Sequence, residues 1–237
     1  MCYHYIREEN EMKILIDSAD IKAIEKLYEC FPVCGVTTNP SLLSKENKDP
    51  YEVLKRIRAF IGEDELHVES LCKRAEDIVD EALSITRTLG DDTYVKIPVT
   101  AEGVKAIKRL RELGVKTTAT AVFTLGQAYI SALAGASYVA PYVNRIEMQG
   151  GEGTQTALNI QEALRASELE CKVLAASFKR IDQVEMLIIK NIDAITLSPA
   201  MLSSLLDNEG TKAAIEDFDR AFKTLKRENM SITLDRY

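Results

Sequence analysis

The sequence has 237 residues, of which 46% are apolar and 28% are charged, and it carries a formal net charge of −7. This composition is typical of a globular protein, and the length suits a single α/β barrel. The negative charge argues against non-specific binding to nucleic acid or to an anionic membrane. No apolar stretch approaches the ~18 residues that a membrane-spanning helix needs, so we expect a soluble protein.

Residues 1–11 mix aromatic and charged residues and lack the apolar core of a secretory signal, so we interpret them as an N-terminal tail. The five cysteines are scattered, which indicates free thiols in a reducing, cytoplasmic setting. The two histidines, His4 and His67, are too few and too far apart for a histidine-based metal centre or a recognisable triad. We therefore expect no metal site.

Eight short runs rich in β-branched and apolar residues are typical of strands. They span residues 12–17, 34–38, 66–70, 93–98, 115–122, 136–143, 171–177 and 193–198. Segments with apolar residues at helical spacing lie between them, and no break rich in Gly, Pro or Ser divides the chain. The alternation predicts a closed parallel (β/α)8 barrel over residues 12–210, with an open doubly wound sheet as the alternative.

Helix starts and the C-terminal segment support this division. Ser18 with Asp20, Thr100 and Thr124 each precede a helical segment, as N-cap residues do. Beyond the eighth unit, residues 211–225 carry apolar residues at one-face spacing, which predicts an amphipathic helix. We interpret 211–237 as a C-terminal helix and tail that covers the barrel or reaches a neighbouring subunit.

The candidates for chemistry are the polar residues at the C-terminal ends of the strands, where active sites of β/α barrels lie. They are Asp17, Thr37, Thr38, Asn39, Glu69, Ser70, Lys96, Thr118, Thr120, Tyr142, Asn144, Arg145, Ser177, Lys179, Thr196 and Ser198.

Lys96 is the most informative of these, because it lies inside the strand-like run TYVKIP. Burying an unpaired ammonium is costly, so this lysine snorkels, pairs with a carboxylate or is held neutral for chemistry. Strand alternation predicts that Tyr94 and Lys96 face the barrel axis. Asp17 and Glu69 fall in the same ring of strand ends, where each is a salt-bridge partner or an acid/base group for an imine-forming amine.

Three further stretches have competing interpretations. TTNPS, at 37–41, is a turn with an N-cap or a set of hydroxyl-binding groups. Arg145 and Ser177, with Lys179 nearby, form a phosphate site, or the cations are simply solvated. GGEG, at 150–153, lacks the spacing of a phosphate loop, and we interpret it as a flexible loop after strand 6.

Several motifs together resemble those of the transaldolase and fructose-6-phosphate aldolase family, in order over about residues 12–225. They are DSAD from 17, GVTTNPS from 35, VKIPVT from 95, ATAVF from 119, YVAPYVNRI from 138 and LAASFK from 174. The resemblance implies a metal-free, cofactor-free class I aldolase on a (β/α)8 barrel, with Lys96 as the Schiff-base lysine. It also implies a decamer of two stacked pentamers, in which the C-terminal helix reaches a neighbour.

The resemblance implies roles for single residues. Asp17 moves substrate hydroxyl protons, Glu69 and Thr120 bind the water that serves the acid/base steps, and Thr38 and Asn39 hold the hydroxyls of the dihydroxyacetone unit. Phosphorylated sugars and dihydroxyacetone are the implied partners, with Arg145, Ser177 and Lys179 holding the substrate phosphate.

Two positions point to different branches of the family. Tyr142 resembles the aldolase branch, in which a phenol joins the catalytic water network, whereas Glu69 resembles the transaldolase branch. Since a phenol is a proton donor, Tyr142 favours release of dihydroxyacetone, and we expect fructose-6-phosphate aldolase activity ahead of transaldolase activity. A phosphosugar isomerase and a non-enzymatic binding protein are the alternatives from other classes.

Overall fold

The structure, a computed structural model, describes residues 12–227 and the side chains of residues 12–223. Eight parallel strands close into a barrel in the order of the sequence, β1-β2-β3-β4-β5-β6-β7-β8. The predicted (β/α)8 barrel with an additional C-terminal helix is therefore confirmed. The chain forms two compact units, which meet in sequence between Leu202 and Ser203.

The strands are short and buried. They are β1 (Lys13–Asp17), β2 (Gly35–Thr37), β3 (Glu65–Glu69), β4 (Thr93–Pro98), β5 (Thr117–Val122), β6 (Tyr138–Pro141), β7 (Lys172–Ala175) and β8 (Ala194–Leu197).

Helices follow every strand. They are α1 (Ile21–Cys30), α2 (Pro40–Leu43), α3 (Pro50–Ile61), α4 (Ala75–Leu89), α5 (Ala101–Glu112), α6 (Leu125–Leu133), α7 (Val143–Met148), α8 (Gly153–Ala166), α9 (Ile181–Ile189), α10 (Pro199–Ser204) and α11 (Glu209–Arg227). None of the described helices is both long and apolar enough to cross a membrane.

The predicted N-caps Asp20, Thr100 and Thr124 are confirmed, whereas Ser18 accepts a hydrogen bond from the backbone N–H of Asp20 and does not cap α1 itself. The Asp20 carboxylate accepts hydrogen bonds from two backbone N–H groups in the first turn of α1, and Thr100 accepts one at the start of α5. Thr124 forms a complete capping box with Gln127 at the start of α6. These caps satisfy N–H groups that have no partner inside the helix, so each one fixes where its helix begins after a strand.

The segment after β6 differs from the prediction. The strand ends at Pro141, α7 intervenes, and GGEG connects α7 to α8 instead of following the strand as a flexible loop. Gly153 is the first residue of α8, and a Cβ there would lie 2.1 Å from the carbonyl oxygen of Val143. Glycine is required at this position because the backbone of one helix approaches the other so closely.

The barrel interior is apolar in part and polar in part. Its apolar cluster contains Leu15, Cys34, Tyr138, Leu174 and Ala194. Lys96 and Tyr94 also make their contacts with inward-facing side chains of β3, as the strand period predicts.

The second unit contains α11, which includes the predicted segment 211–225. Ile215, Phe218 and Phe222 recur at helical spacing along it, so their side chains share one side of the helix.

Candidate active site

Lys96 is buried at the C-terminal end of the barrel, with 6% of the residue exposed. Its ammonium donates to the carbonyl oxygen of Thr38 at 2.6 Å and lies 3.2 Å from Oε2 of Glu69. Glu69 and Lys96 are register partners on β3 and β4, so the sheet itself brings the amine and the carboxylate together. The ion pair and the carbonyl acceptor together offset the cost of desolvating a buried lysine.

Asp17 ends β1 beside this pair. Its carboxylate accepts a hydrogen bond from the Thr37 hydroxyl at 2.8 Å, and that hydroxyl lies 2.7 Å from the hydroxyl of Thr196. Burial raises the pKa of Asp17, although the positive charge of Lys96 and the Thr37 hydrogen bond act in the opposite direction. A carboxyl group with a raised pKa holds a proton more readily than an ordinary one and is suited to taking up and returning it.

Two residues predicted to hold substrate hydroxyls have structural partners. The hydroxyl of Thr38 donates to the carbonyl oxygen of His67 at 3.0 Å, so its carbonyl, not its side chain, faces Lys96. The Asn39 side chain caps α2 by accepting a hydrogen bond from the backbone N–H of Leu42 at 3.1 Å. Its amide nitrogen is therefore the atom suited to meet a ligand, and the turn with an N-cap is present.

Thr120 and Tyr142 lie on the side of the site away from Asp17. Thr120 is on β5, and Tyr142 comes directly after β6. Their hydroxyls lie 3.0 Å apart, and the Arg145 guanidinium stands 4.7 Å from the centre of the Tyr142 ring. The neighbouring residue Ala121 has a φ of 55°, and the pairing register of β5 with β6 shifts between Ala119 and Val122. A bulge of this kind changes the direction of adjacent side chains and is common next to active sites.

The predicted phosphate residues lie on neighbouring strand ends. Asn144, next to Arg145, donates its backbone N–H to the carbonyl oxygen of Ser177 at 2.8 Å, so the ends of β6 and β7 are held together. Ser177 has a φ of 64°. Arg145 and Lys179 are exposed, as cations that meet a diffusing anion must be. Their binding role remains a prediction.

A second polar cluster, which was not predicted from the sequence, lies toward the opposite end of the barrel. Glu65 accepts hydrogen bonds from Lys13 at 2.5 Å and from the Tyr138 hydroxyl at 3.2 Å, and its other oxygen lies 3.4 Å from Nε2 of His67. The His67 ring stacks on Tyr94 at 4.6 Å. Charged first residues of β1 and β3 were the signal available, but strand ends are often charged for solubility alone.

This cluster predicts a dependence of stability on pH. Burial alone would raise the pKa of Glu65, but hydrogen bonds from His67 and Lys13 reverse that effect and hold it at about 2. Because the folded-state pKa lies below the ordinary value of 4.5, the stabilisation is present above pH 4.5 and is lost as the pH falls toward 2. It is worth roughly 3 kcal/mol at neutral pH.

Glu65→Gln should therefore lower the free energy of unfolding at pH 7 by roughly 2 to 3 kcal/mol and flatten its decline between pH 4.5 and 2. Denaturant unfolding followed by circular dichroism across this pH range measures both quantities. Glu185→Gln, at an exposed carboxylate on α9, is the matched control. Parallel acid profiles for wild type and Glu65→Gln would contradict the prediction.

The comparison with known families decides what kind of protein this is. Residues 14–236 match the family model described as Transaldolase/Fructose-6-phosphate aldolase. The chain belongs to that family. The resemblance drawn from the sequence motifs is thereby confirmed, and the protein is an enzyme of the aldolase or transaldolase type.

A solved structure shows the same fold in a distant protein. Thiamine phosphate pyrophosphorylase from Pyrococcus furiosus is 17% identical, and the match covers 80% of this chain and 87% of that chain with a TM-score of 0.55. At this identity the likeness concerns the barrel alone. Within the aldolase and transaldolase family, the residues of the site determine which reaction is catalysed.

Proposed function

We propose that the protein is a class I, Schiff-base aldolase that cleaves fructose 6-phosphate to dihydroxyacetone and glyceraldehyde 3-phosphate and also catalyses the reverse addition. Lys96 is the nucleophile. The observation that carries this assignment is the position of its ammonium, buried on β4 between a carboxylate and a backbone carbonyl at the end of the strand. Active sites of β/α barrels lie at this end, and an amine there can form an imine with a ketone.

The first steps place the ketone carbon of the sugar on Lys96. The amine must be neutral to attack C2, so its proton passes to a nearby base. Glu69, at 3.2 Å, is placed to receive it. Protonation of the resulting hydroxyl lets it leave as water and gives an iminium. Glu69 and Thr120, with a bound water, serve this exchange.

Cleavage then breaks the bond between C3 and C4. A base removes the proton of the C4 hydroxyl, the C3–C4 electron pair flows to the iminium nitrogen, and glyceraldehyde 3-phosphate leaves. Asp17 is suited to take that proton, because burial raises its pKa. The lysine keeps a dihydroxyacetone enamine, which protonation at C3 and hydrolysis release. Arg145, Ser177 and Lys179 would hold the phosphate of the sugar by charge-assisted and hydroxyl hydrogen bonds.

The fate of the enamine separates the two activities of the family. Tyr142 brings a phenol proton to the site and is hydrogen-bonded to Thr120 at 3.0 Å. A proton donor beside the enamine favours protonation and release of free dihydroxyacetone.

Transaldolase activity is the second candidate, because a specific observation favours it. Glu69 is a carboxylate paired with Lys96, as the resemblance implies for the transferase branch. In that reaction the enamine persists until a second aldehyde binds and then adds to it. The dihydroxyacetone unit is thereby transferred between sedoheptulose 7-phosphate and glyceraldehyde 3-phosphate.

We further infer a homo-oligomer, with a decamer of two pentamers as the expected form. Support comes from α11, whose apolar residues share one side and would gain from contact with another copy. Light scattering during gel filtration measures the mass directly, and a monomer would contradict this inference.

One experiment tests the reaction. The purified protein is incubated with fructose 6-phosphate, with and without erythrose 4-phosphate, and dihydroxyacetone and sedoheptulose 7-phosphate are quantified. Free dihydroxyacetone without an acceptor supports the aldolase. Sedoheptulose 7-phosphate formed only with the acceptor supports the transferase instead. Borohydride reduction during turnover should leave an adduct on Lys96, which a phosphosugar isomerase would not form.

A further inference from the structure

His67 and Thr118 form a fully buried polar pair in the middle of the barrel, and both residues are 0% exposed. Nδ1 of the imidazole lies 2.9 Å from the hydroxyl of Thr118. Bulky branched apolar residues usually fill this part of a (β/α)8 barrel, and burying polar groups costs free energy unless they are hydrogen-bonded. Two apolar side chains would fill the same space equally well, so the polar pair indicates a role beyond packing.

The direction of each hydrogen bond follows from Glu65. This carboxylate is held ionised by Lys13 and by the Tyr138 hydroxyl, so it can only accept from His67. Nε2 of the imidazole therefore carries the proton. In a neutral ring Nδ1 is then an acceptor, and the Thr118 hydroxyl must donate to it.

The surroundings keep the imidazole neutral. Burial lowers the pKa of His67, and although Glu65 acts to raise it, Lys96 and Lys13 lower it further. The remaining faces of the ring are covered by two phenols, with Tyr94 stacked at 4.6 Å and Tyr138 edge-on at 5.5 Å. Burial raises the pKa of both tyrosines, so neither contributes a charge near neutral pH.

His67 is connected to Lys96 in two ways, through its side chain and through its backbone carbonyl. Thr118 and Lys96 are register partners on β5 and β4, so their side chains stand next to each other on the inner face. On the other side, the backbone carbonyl of His67 accepts hydrogen bonds from the N–H and the hydroxyl of Thr38. The carbonyl of Thr38 in turn accepts from the Lys96 ammonium at 2.6 Å.

We propose that Glu65, His67 and Thr118 form a hydrogen-bonded relay that turns the negative end of its dipoles toward Lys96 and stabilises the iminium cation formed there. His67 is a positioning residue in this proposal, because it acts through Thr118 and Thr38. The proposal rests on the Schiff-base role of Lys96 given above. Each bond in the relay is polarised by the carboxylate at its start, so the Thr118 oxygen presents its lone pairs to the side of the lysine.

The tautomer of His67 can be observed without any substrate. The chain has two histidines, so ¹⁵N-histidine labelling of His4→Ala protein leaves the signals of His67 alone. We expect a neutral ring with the proton on Nε2 at pH 7 and no change of tautomer in Lys96→Met protein. A proton on Nδ1, or an imidazolium at pH 7, would overturn the relay whatever the enzyme's reaction proves to be.

The effect on chemistry is read from trapping of the iminium with cyanoborohydride during incubation with fructose 6-phosphate. In Thr118→Val, which removes the donor with little change in shape, the steady-state adduct should fall roughly fivefold, as expected for one hydrogen bond. kcat should fall with it while KM stays close to the wild-type value. His67→Gln keeps a donor for Glu65 and an acceptor for Thr118, so it should trap like wild type, and His67→Phe should resemble Thr118→Val.

Failure of the relay and failure of the proposed function give different results. If wild-type protein forms no adduct on Lys96, the Schiff-base assignment is wrong. If wild type is trapped, and Thr118→Val with an unchanged melting temperature is trapped to the same extent, the relay is wrong and the Schiff-base role stands. Equal losses in His67→Phe and the His67→Phe/Thr118→Val double variant would show that both residues act in one chain.

Discussion

Lys96→Met should abolish turnover of fructose 6-phosphate, with a loss of at least about a thousandfold in kcat, because it removes the amine to which we assign the covalent intermediate. Methionine keeps an unbranched side chain of similar length in the buried slot on β4. The side chain of the partner carboxylate, Glu69, is 18% exposed, so water can solvate it after the amine is lost. Loss of activity without loss of the folded state is therefore expected.

Steady-state kinetics and a thermal melt on the same preparation check this prediction. Lys105→Met is the matched control, since Lys105 pairs with Glu76 on the outer helices and is half exposed. It should retain wild-type kcat. A folded Lys96→Met protein that turned over at even a tenth of the wild-type rate would remove Lys96 from the role of nucleophile and reopen the isomerase alternative.

The barrel and the lysine were predictable because they depend on local periodicity. Strand and helix periods alternate eight times, and only a few topologies accommodate that pattern. The period of two along TYVKIP placed Tyr94 and Lys96 on the inner face, where the structure finds them stacked on His67 and paired with Glu69. These conclusions needed no knowledge of which strands are neighbours.

The features that the sequence did not reveal depend on register between distant strands. His67 meets Thr118 across a separation of 51 residues, and Glu65 meets Tyr138 across 73. No local pattern in the sequence identifies pairs of this kind. α7 was missed because its buried residues continue the apolar run of β6, so Val143 fits a strand and a helix equally well.

Tyr142→Phe should convert the enzyme from release toward transfer. The phenol hydroxyl lies 3.0 Å from Thr120, and its removal takes away the proton donor that we assign to quenching the enamine. Release of dihydroxyacetone should fall by about a hundredfold, the usual contribution of a positioned acid. Cleavage itself does not need this proton, so the enamine on Lys96 should accumulate and become available to an added aldehyde.

The product ratio decides between the two branches more sharply than either rate. With erythrose 4-phosphate present, the ratio of sedoheptulose 7-phosphate to dihydroxyacetone should rise by at least about tenfold in Tyr142→Phe. Tyr129→Phe is the control, because its hydroxyl bonds Ser167 on the outer helices and should leave the ratio unchanged. If Tyr142→Phe instead lowered both products equally, the phenol would act before cleavage, and Glu69 and Thr120 alone would have to determine the fate of the enamine.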